Sequence, residues 1–301
     1  MAQVTANGIN IEYDTFGERG ARPLLLVMGL GAQMIAWRGE FCQALADRGH
    51  FVVRYDNRDV GLSQKFGHLG LPDMMALMSA RASGEPFEVP YTLSDMVNDG
   101  LGLLDVLDIE KAHICGASMG GMIVQAMAIS APQRVLSMTS IMSSTGNPDL
   151  PPATEAAMAA LMTPGATTRE GAITRSIEVS GVIGSPKYPA GVEQLRERAE
   201  QAFDRCAYPE GVTRQMAAVF ADGNRKPALQ KLDVAALIVH GQADPLVPVT
   251  SGIDTHEALM NAELMLIDGM GHDLPEQIWN QVIDGITNLT SVSTSSMISG
   301  R

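Results

Sequence analysis

One stretch limits the folds open to this chain more than any other: Gly116-Ala117-Ser118-Met119-Gly120-Gly121. An apolar run, Ala112 to Cys115, precedes it, and a run of helical character, Met122 to Ala128, follows. The order is strand, sharp turn, helix. A serine at the apex with glycine two positions to either side is the pattern of a nucleophile elbow. A serine on such a turn is held in a strained backbone conformation. Neighbouring chain passes so close that side chains at positions 116 and 120 would collide with it, which demands glycine. The helix that follows points its free N–H groups and positive dipole end at negative charge developing near the serine.

The rest of the chain supplies a setting for that turn. Val4–Ala6, Asn7-Gly8 and Ile9–Tyr13 read as a hairpin, because Asn-Gly suits a two-residue type I′ turn. Pro23–Val27 and Phe51–Tyr55 are unbroken apolar runs, fit for strands buried on both faces. Between them Trp37–Arg48 has helical spacing, stopped by Gly49. The polar turn Asp56–Ser63 is expected to be structural, its side chains satisfying loop backbone. A long excursion, Gln64–Tyr91, carries Pro72, Pro86 and Pro90 and a short Met-rich helix over Pro72–Ala80. A helix then opens at Thr92 and ends near Leu107, followed by the elbow and a further strand, Val135–Met142.

After Met142 the βα alternation stops. Pro151 and Pro152 lead into helices near Ala153–Thr163, Thr168–Ser180, Val192–Cys206 and Glu210–Ala221. Alternation resumes with a strand at Val234–His240, a helix near Ile253–Met260, a strand at Glu263–Ile267 and a last helix from Pro275 to about Leu289. The Ser/Thr-rich tail, Thr290–Arg301, is expected to fray. Repeated βα units predict an α/β fold with a mostly parallel central sheet flanked by helices. Its core is expected in two parts, residues 1–142 and 234–301. The helical insertion at 143–233 would roof the carboxyl ends of the strands as a cap.

The 301 residues are 46% hydrophobic and 18% charged, enough for a substantial core. A net charge of −13 with no Lys/Arg cluster argues against nucleic acid and anionic membrane surfaces as partners. No apolar stretch approaches the ~18 residues of a membrane span. Cys42, Cys115 and Cys206 are few, odd in number and widely spaced, so neither a disulfide framework nor a metal site emerges. The N-terminus lacks a basic segment and apolar stretch of the signal-peptide kind, which leaves the cytoplasm as the expected location. A homo-oligomer is compatible with all of this.

A serine nucleophile needs a base, and the base an orienting acid. Of six histidines, His50 and His113 belong to strands, His68 to the excursion and His256 to a helix, while His240 ends a strand. His272 differs. It lies in Asp268-Gly269-Met270-Gly271-His272-Asp273, a glycine-bracketed loop between the last strand and last helix, from which an imidazole can reach over the sheet. Asp244, in the loop after the preceding strand, is the expected acid; Asp268 and Asp273 are rivals too near His272 in sequence to face it. The order Ser118, Asp244, His272 is that of an elbow-type triad. Two backbone N–H groups should hold the oxyanion: Met119, just after the serine, and Leu30, in the loop after Pro23–Val27.

On these residues the chain resembles the α/β-hydrolases over essentially its whole length. The shared motifs are Val27-Met28-Gly29-Leu30-Gly31, the elbow, Gly241-Gln242-Ala243-Asp244 with Pro248, and Gly269-Met270-Gly271-His272. The family usually has His-Gly where this chain has Met28-Gly29. That variant resembles the aclacinomycin methylesterase-like group, whose members hydrolyse a methyl ester on a polyketide. The resemblance implies a serine esterase acting on a small-molecule ester, with no metal and no organic cofactor. A lactonase, a cofactor-free perhydrolase and a carbon–carbon bond hydrolase would use the same triad, and a ligand-binding homologue could keep the fold without turnover. Among 19 methionines, Met28, Met34 and Met270, together with Gly29, are expected to contact substrate, and adaptable thioethers suit a permissive apolar pocket for small to medium esters. Met74, Met75, Met78, Met158 and Met162 of the excursion and insertion could add to that surface.

Overall fold

The computed structural model describes residues 1–85 and 87–298; Pro86 of the excursion and the last three residues of the tail lie outside that range. One sheet of eight strands organises it: β1 (Ala2–Ala6), β2 (Ile9–Phe16), β3 (Arg22–Val27), β4 (His50–Tyr55), β5 (Ala112–Ala117), β6 (Val135–Ile141), β7 (Ala236–Gly241) and β8 (Ala262–Ile267). Their spatial order is β1-β2-β4-β3-β5-β6-β7-β8. β1 and β2 run antiparallel as the expected hairpin, and Asn7 and Gly8 both take the positive φ (49° and 75°) that a type I′ turn requires. β2 meets β4 antiparallel, and every later pairing is parallel.

Eleven α-helices accompany the strands among the described residues: α1 (Gly39–Asp47), α2 (Met74–Ser83), α3 (Leu93–Val106), α4 (Met119–Ser130), α5 (Glu155–Met162), α6 (Arg169–Ile183), α7 (Val192–Arg205), α8 (Pro209–Ala221), α9 (Lys226–Leu229), α10 (Val249–Glu257) and α11 (Trp279–Ile298). The two-residue period of the strands sends alternate side chains to opposite faces. Leu25, Val27, Val53, Ile114 and Ile238 enter one apolar layer with α3, α4 and Leu259 beyond α10. Leu24, Leu26, Val52, Cys115, Leu237 and Val239 enter the other with α1 and α11. Full burial of a Leu or Ile of this kind contributes ~1.5–3 kcal/mol, so the two layers dominate the stability of the sheet.

Local signals set most helix ends. Thr92 caps α3 with a complete capping box to Asp95, and the Asp73 side chain accepts the N–H groups of Met75 and Ala76 at the start of α2. Trp37 falls before α1, because Met34–Ala36 forms a separate 3₁₀ turn. The four helices expected after Met142 are α5 to α8; the one-turn α9 was not foreseen. α10 starts at Val249, four residues before its expected beginning, directly after Pro248. The tail also differs from expectation. Instead of ending near Leu289, α11 continues to Ile298. Within it Thr287 and Ser291 donate their hydroxyls to the carbonyls of Ile283 and Thr287, one turn earlier. No helix among the described residues is long and apolar enough to cross a membrane.

Candidate active site

The elbow is built by steric exclusion. Ser118 sits between β5 and α4 with φ 55° and ψ −119°, a conformation costly for any residue with a side chain. A Cβ at Gly116 would stand 2.0 Å from the Gly120 carbonyl oxygen, and one at Gly120 would stand 2.1 Å from the Val27 oxygen. Neither position accepts anything but glycine without moving backbone. The Ser118 N–H donates to the Ile141 oxygen, and the Ser143 hydroxyl donates to the Ser118 oxygen, so the next strand over clamps the turn. Ser118 itself is half-buried and Met119, the first residue of α4, is almost fully buried.

The structure brings the three sequence candidates together. His272 Nε2 is 3.0 Å from Ser118 Oγ, and His272 Nδ1 is 2.8 Å from Asp244 Oδ2. The other carboxylate oxygen of Asp244 accepts the N–H groups of Leu246 and Val247 at 2.9 and 2.8 Å. An ionised carboxylate only accepts, so Nδ1 carries the proton and Nε2 is free to take one from the serine. The other histidines at the sheet are tied elsewhere. His113 bonds Ser137, His50 bonds the Leu45 oxygen and Thr290, and His240 bonds the Val247 oxygen. Burial pushes the His113 imidazole down to about 4. Of the rival acids, Asp273 accepts from Ser185 and Asp268 pairs with Lys187 at the surface.

The loop after β3 runs beside the serine. A Cβ on Gly29 would lie 3.1 Å from Ser118 Cβ and 3.7 Å from its Oγ, so this backbone touches the site. Several of its groups are engaged. The Met28 oxygen accepts from Asn57 Nδ2, the Gly31 N–H donates to Gln215 Oε1, and the Met34 N–H donates to Asp56 Oδ1, at 2.9, 2.8 and 2.7 Å. Leu30 packs against the apolar layer that contains Val27 and Met119. Met34 and Met270 are fully buried; Met270 belongs to the core layer with Ile267 and Ile278, so its side chain packs the fold. Met28 is half-buried against that layer. Met75, Met78 and Met162 are exposed, which sets them on the outer surface.

Asp56–Ser63 is structural, as its composition suggests, but it does more than satisfy its own backbone. Asp56 pairs with Arg205 at the end of α7 at 2.7 Å. Asp59 accepts from Arg214 of α8 at 2.8 and 3.1 Å and from Tyr91 at 2.8 Å. Gln215 of α8, fully buried, donates to the Arg58 oxygen at 2.7 Å while accepting from Gly31. On the opposite side the His272 N–H donates to the Ile183 oxygen at 2.7 Å, and Ser185 Oγ accepts from the Gly271 N–H at 2.9 Å. Apart from Tyr91, these partners lie between β6 and β7, far from the loops they hold in sequence. No local motif marks them.

Comparison with known proteins agrees with this architecture. The model of the alpha/beta hydrolase fold family matches residues 22–170. The rhodomycin D methylesterase DauP of Streptomyces is 25% identical across 97% of this chain and 98% of its own length. A 3-oxoadipate enol-lactonase of Acinetobacter baylyi is 26% identical across 88% of this chain and 87% of its own. Among solved structures, a meta-cleavage product hydrolase from Pseudomonas fluorescens superposes with a TM-score of 0.76 at 21% identity, covering 97% of this chain and 98% of that one. By its sheet, its family match and its full-length relatives, the chain belongs to the α/β-hydrolases and resembles their methylesterase group.

Proposed function

We propose that this chain is a serine hydrolase that cleaves carboxylic ester bonds, with Ser118 as nucleophile, His272 as base and Asp244 as orienting acid. The continuous hydrogen-bonded line from Ser118 Oγ through the two nitrogens of His272 to Asp244 carries the reading. His272 Nε2 takes the serine proton as Oγ attacks the ester carbonyl. Asp244 fixes the tautomer and stabilises the imidazolium, which then gives its proton to the departing alcohol. Water, activated by the same imidazole, releases the acid and restores the serine. We assign the oxyanion to the N–H groups of Met119 and Leu30. Met119 opens α4, where helix N–H groups are free by position. The Gly31 N–H is taken by Gln215, which supports Leu30 as the second donor.

The helices α5 to α9 are proposed to roof the site as a cap. Met28 and Gly29 are proposed as substrate neighbours, for small to medium apolar esters, while Met34, expected beside them, is fully buried and packs the fold. The three cysteines are free, which fits a reducing compartment such as the cytoplasm. A second reading is lactone hydrolysis, favoured by the enol-lactonase relative and requiring the same groups. The test is hydrolysis of p-nitrophenyl acetate, butyrate and octanoate beside a lactone panel, by wild type and Ser118→Ala. Turnover by wild type, with a loss on the order of 10⁴-fold or more in the variant, upholds the assignment. Equal rates for the two proteins would remove Ser118 from the mechanism.

A further inference from the structure

Beside the core contacts of Asp244 and of the Ala243 N–H with the Met270 oxygen, the histidine loop leans on the chain between β6 and β7. Three consecutive residues of the histidine loop are each bonded to one short segment at the end of α6. The Gly271 N–H donates to Ser185 Oγ, the His272 N–H donates to the Ile183 oxygen, and Asp273 Oδ1 accepts the Ser185 hydroxyl. The approach is close. A Cβ on Gly271 would lie 2.4 Å from the Gly184 oxygen and 2.6 Å from the Ile183 oxygen. Ser185 is buried. Its single proton goes to Asp273, which turns its lone pairs to the Gly271 N–H. On the other side of the serine, Gln215 of α8 bridges the Gly31 N–H and the Arg58 oxygen in the same fashion, fully buried.

We infer that Ser185 and Gln215 are positioning residues: the insertion holds the histidine loop through Ser185 and the oxyanion loop through Gln215, and so sets the geometry of the reacting groups from both sides. This rests on the esterase reading above. It gives the insertion a part in the chemistry beyond covering the site. It also gives Asp273 a role as the acceptor that orients the Ser185 hydroxyl. Burial raises the Asp273 carboxyl above its ordinary range, against the opposing pull of the Ser185 bond. Placement matters because a reacting atom displaced by ~1 Å can cost 100-fold in rate, while substrate affinity hardly senses it.

The experiment compares wild type, Ser185→Ala, Ser185→Thr and Gln215→Met by p-nitrophenyl butyrate kinetics, thermal unfolding, and proton NMR of the low-field His272 Nδ1–H signal. Ser185→Ala is expected to lower kcat about 10- to 100-fold with KM within about two-fold, and to broaden or shift the His272 signal. Ser185→Thr, which keeps the hydroxyl, should recover both. Gln215→Met should lower kcat by about tenfold and leave the His272 signal in place, because it loosens only the oxyanion side. A lower Tm in Ser185→Ala with unchanged kcat and signal would reduce Ser185 to a stability role and overturn its half of the inference. An unchanged kcat in Gln215→Met would overturn the other half. Should Ser185→Ala not fold, Ser185→Cys, with weaker bonds in the same volume, is read on the same measures. If wild type is inert toward every ester and lactone but the signal still moves in Ser185→Ala, the esterase reading falls and the positioning role of Ser185 stands. If neither responds, both fall.

Discussion

Ser118 and His272 meet at 3.0 Å, yet they reach that point on supports of different kinds. The serine rides on the sheet. β5 lies between β3 and β6 with all six residues buried, and the turn is forced by glycines that would otherwise strike backbone at about 2 Å. The histidine rides on a loop. Its neighbours Gly271 and Asp273, and its own N–H, lean on Ile183 and Ser185, more than 80 residues away in the chain. The position of Ser118 is therefore a property of the core, while that of His272 depends also on how the helices between β6 and β7 are fastened. The fastening is ionic and buried: Asp59 with Arg214, and Asp56 with Arg205. Buried pairs of this sort fix register and orientation more than they add stability.

The two supports can be broken separately. The largest effect falls on the reacting groups themselves. Asp244→Asn is expected to lower kcat by about 10³- to 10⁴-fold, since an amide in place of the carboxylate favours the wrong imidazole tautomer. Asp273→Asn should lose less than about tenfold, because the amide oxygen still accepts from Ser185. Kinetics of the two variants side by side check this, and a reversed ranking would make Asp273 the orienting acid.

The insertion's fastening comes next. Arg214 and Asp59 are both about 1% exposed, so Arg214→Leu strands a buried carboxylate and is expected to cost ~3–5 kcal/mol. Urea unfolding of Arg214→Leu and of Asp59→Asn/Arg214→Leu measures this, the double variant being the milder of the two. Equal stability of wild type and Arg214→Leu would mean that the clasp carries no weight.

The smallest effect reaches the sheet from its far end. His113 lies on the strand that carries the serine, bonded to Ser137, and its imidazole is pushed by burial down to about 4. An unfolded histidine titrates near 6.5, so between pH 6.5 and 4 the unfolded chain binds a proton that the folded chain does not. Stability present above pH 6.5 is accordingly lost as pH falls through that window. Tm followed from pH 7.5 to 4.5 should decline, and less steeply in His113→Asn. Identical slopes in the two proteins would remove His113 from the effect.

Much of the frame was legible in the sequence because its signals are local. Unbroken apolar runs mark the buried strands, Asn7-Gly8 marks the hairpin turn, and Gly116 and Gly120 mark the place where a serine stands on a sharp turn. His272 and Asp244 stood out by their loops and chain order. Other features were not legible for the same physical reason. Ser185, Gln215 and Arg214 look like ordinary helix or loop residues in sequence, and their partners lie far away along the chain. Met270 carries the composition of a pocket residue but the position of a core one, a difference that only packing decides. The last helix, too, runs on to Ile298 through a Ser/Thr-rich stretch whose composition argues for fraying.

The sequence by itself determined the sheet, the elbow and the identity of the groups brought toward Ser118, because backbone sterics and hydrophobic periodicity act between near neighbours. Only the tertiary structure decided how the histidine loop and the loop after β3 are held. Those bonds join residues 86 and 184 positions apart in the chain, and it takes the folded sheet to bring them within 3 Å of each other.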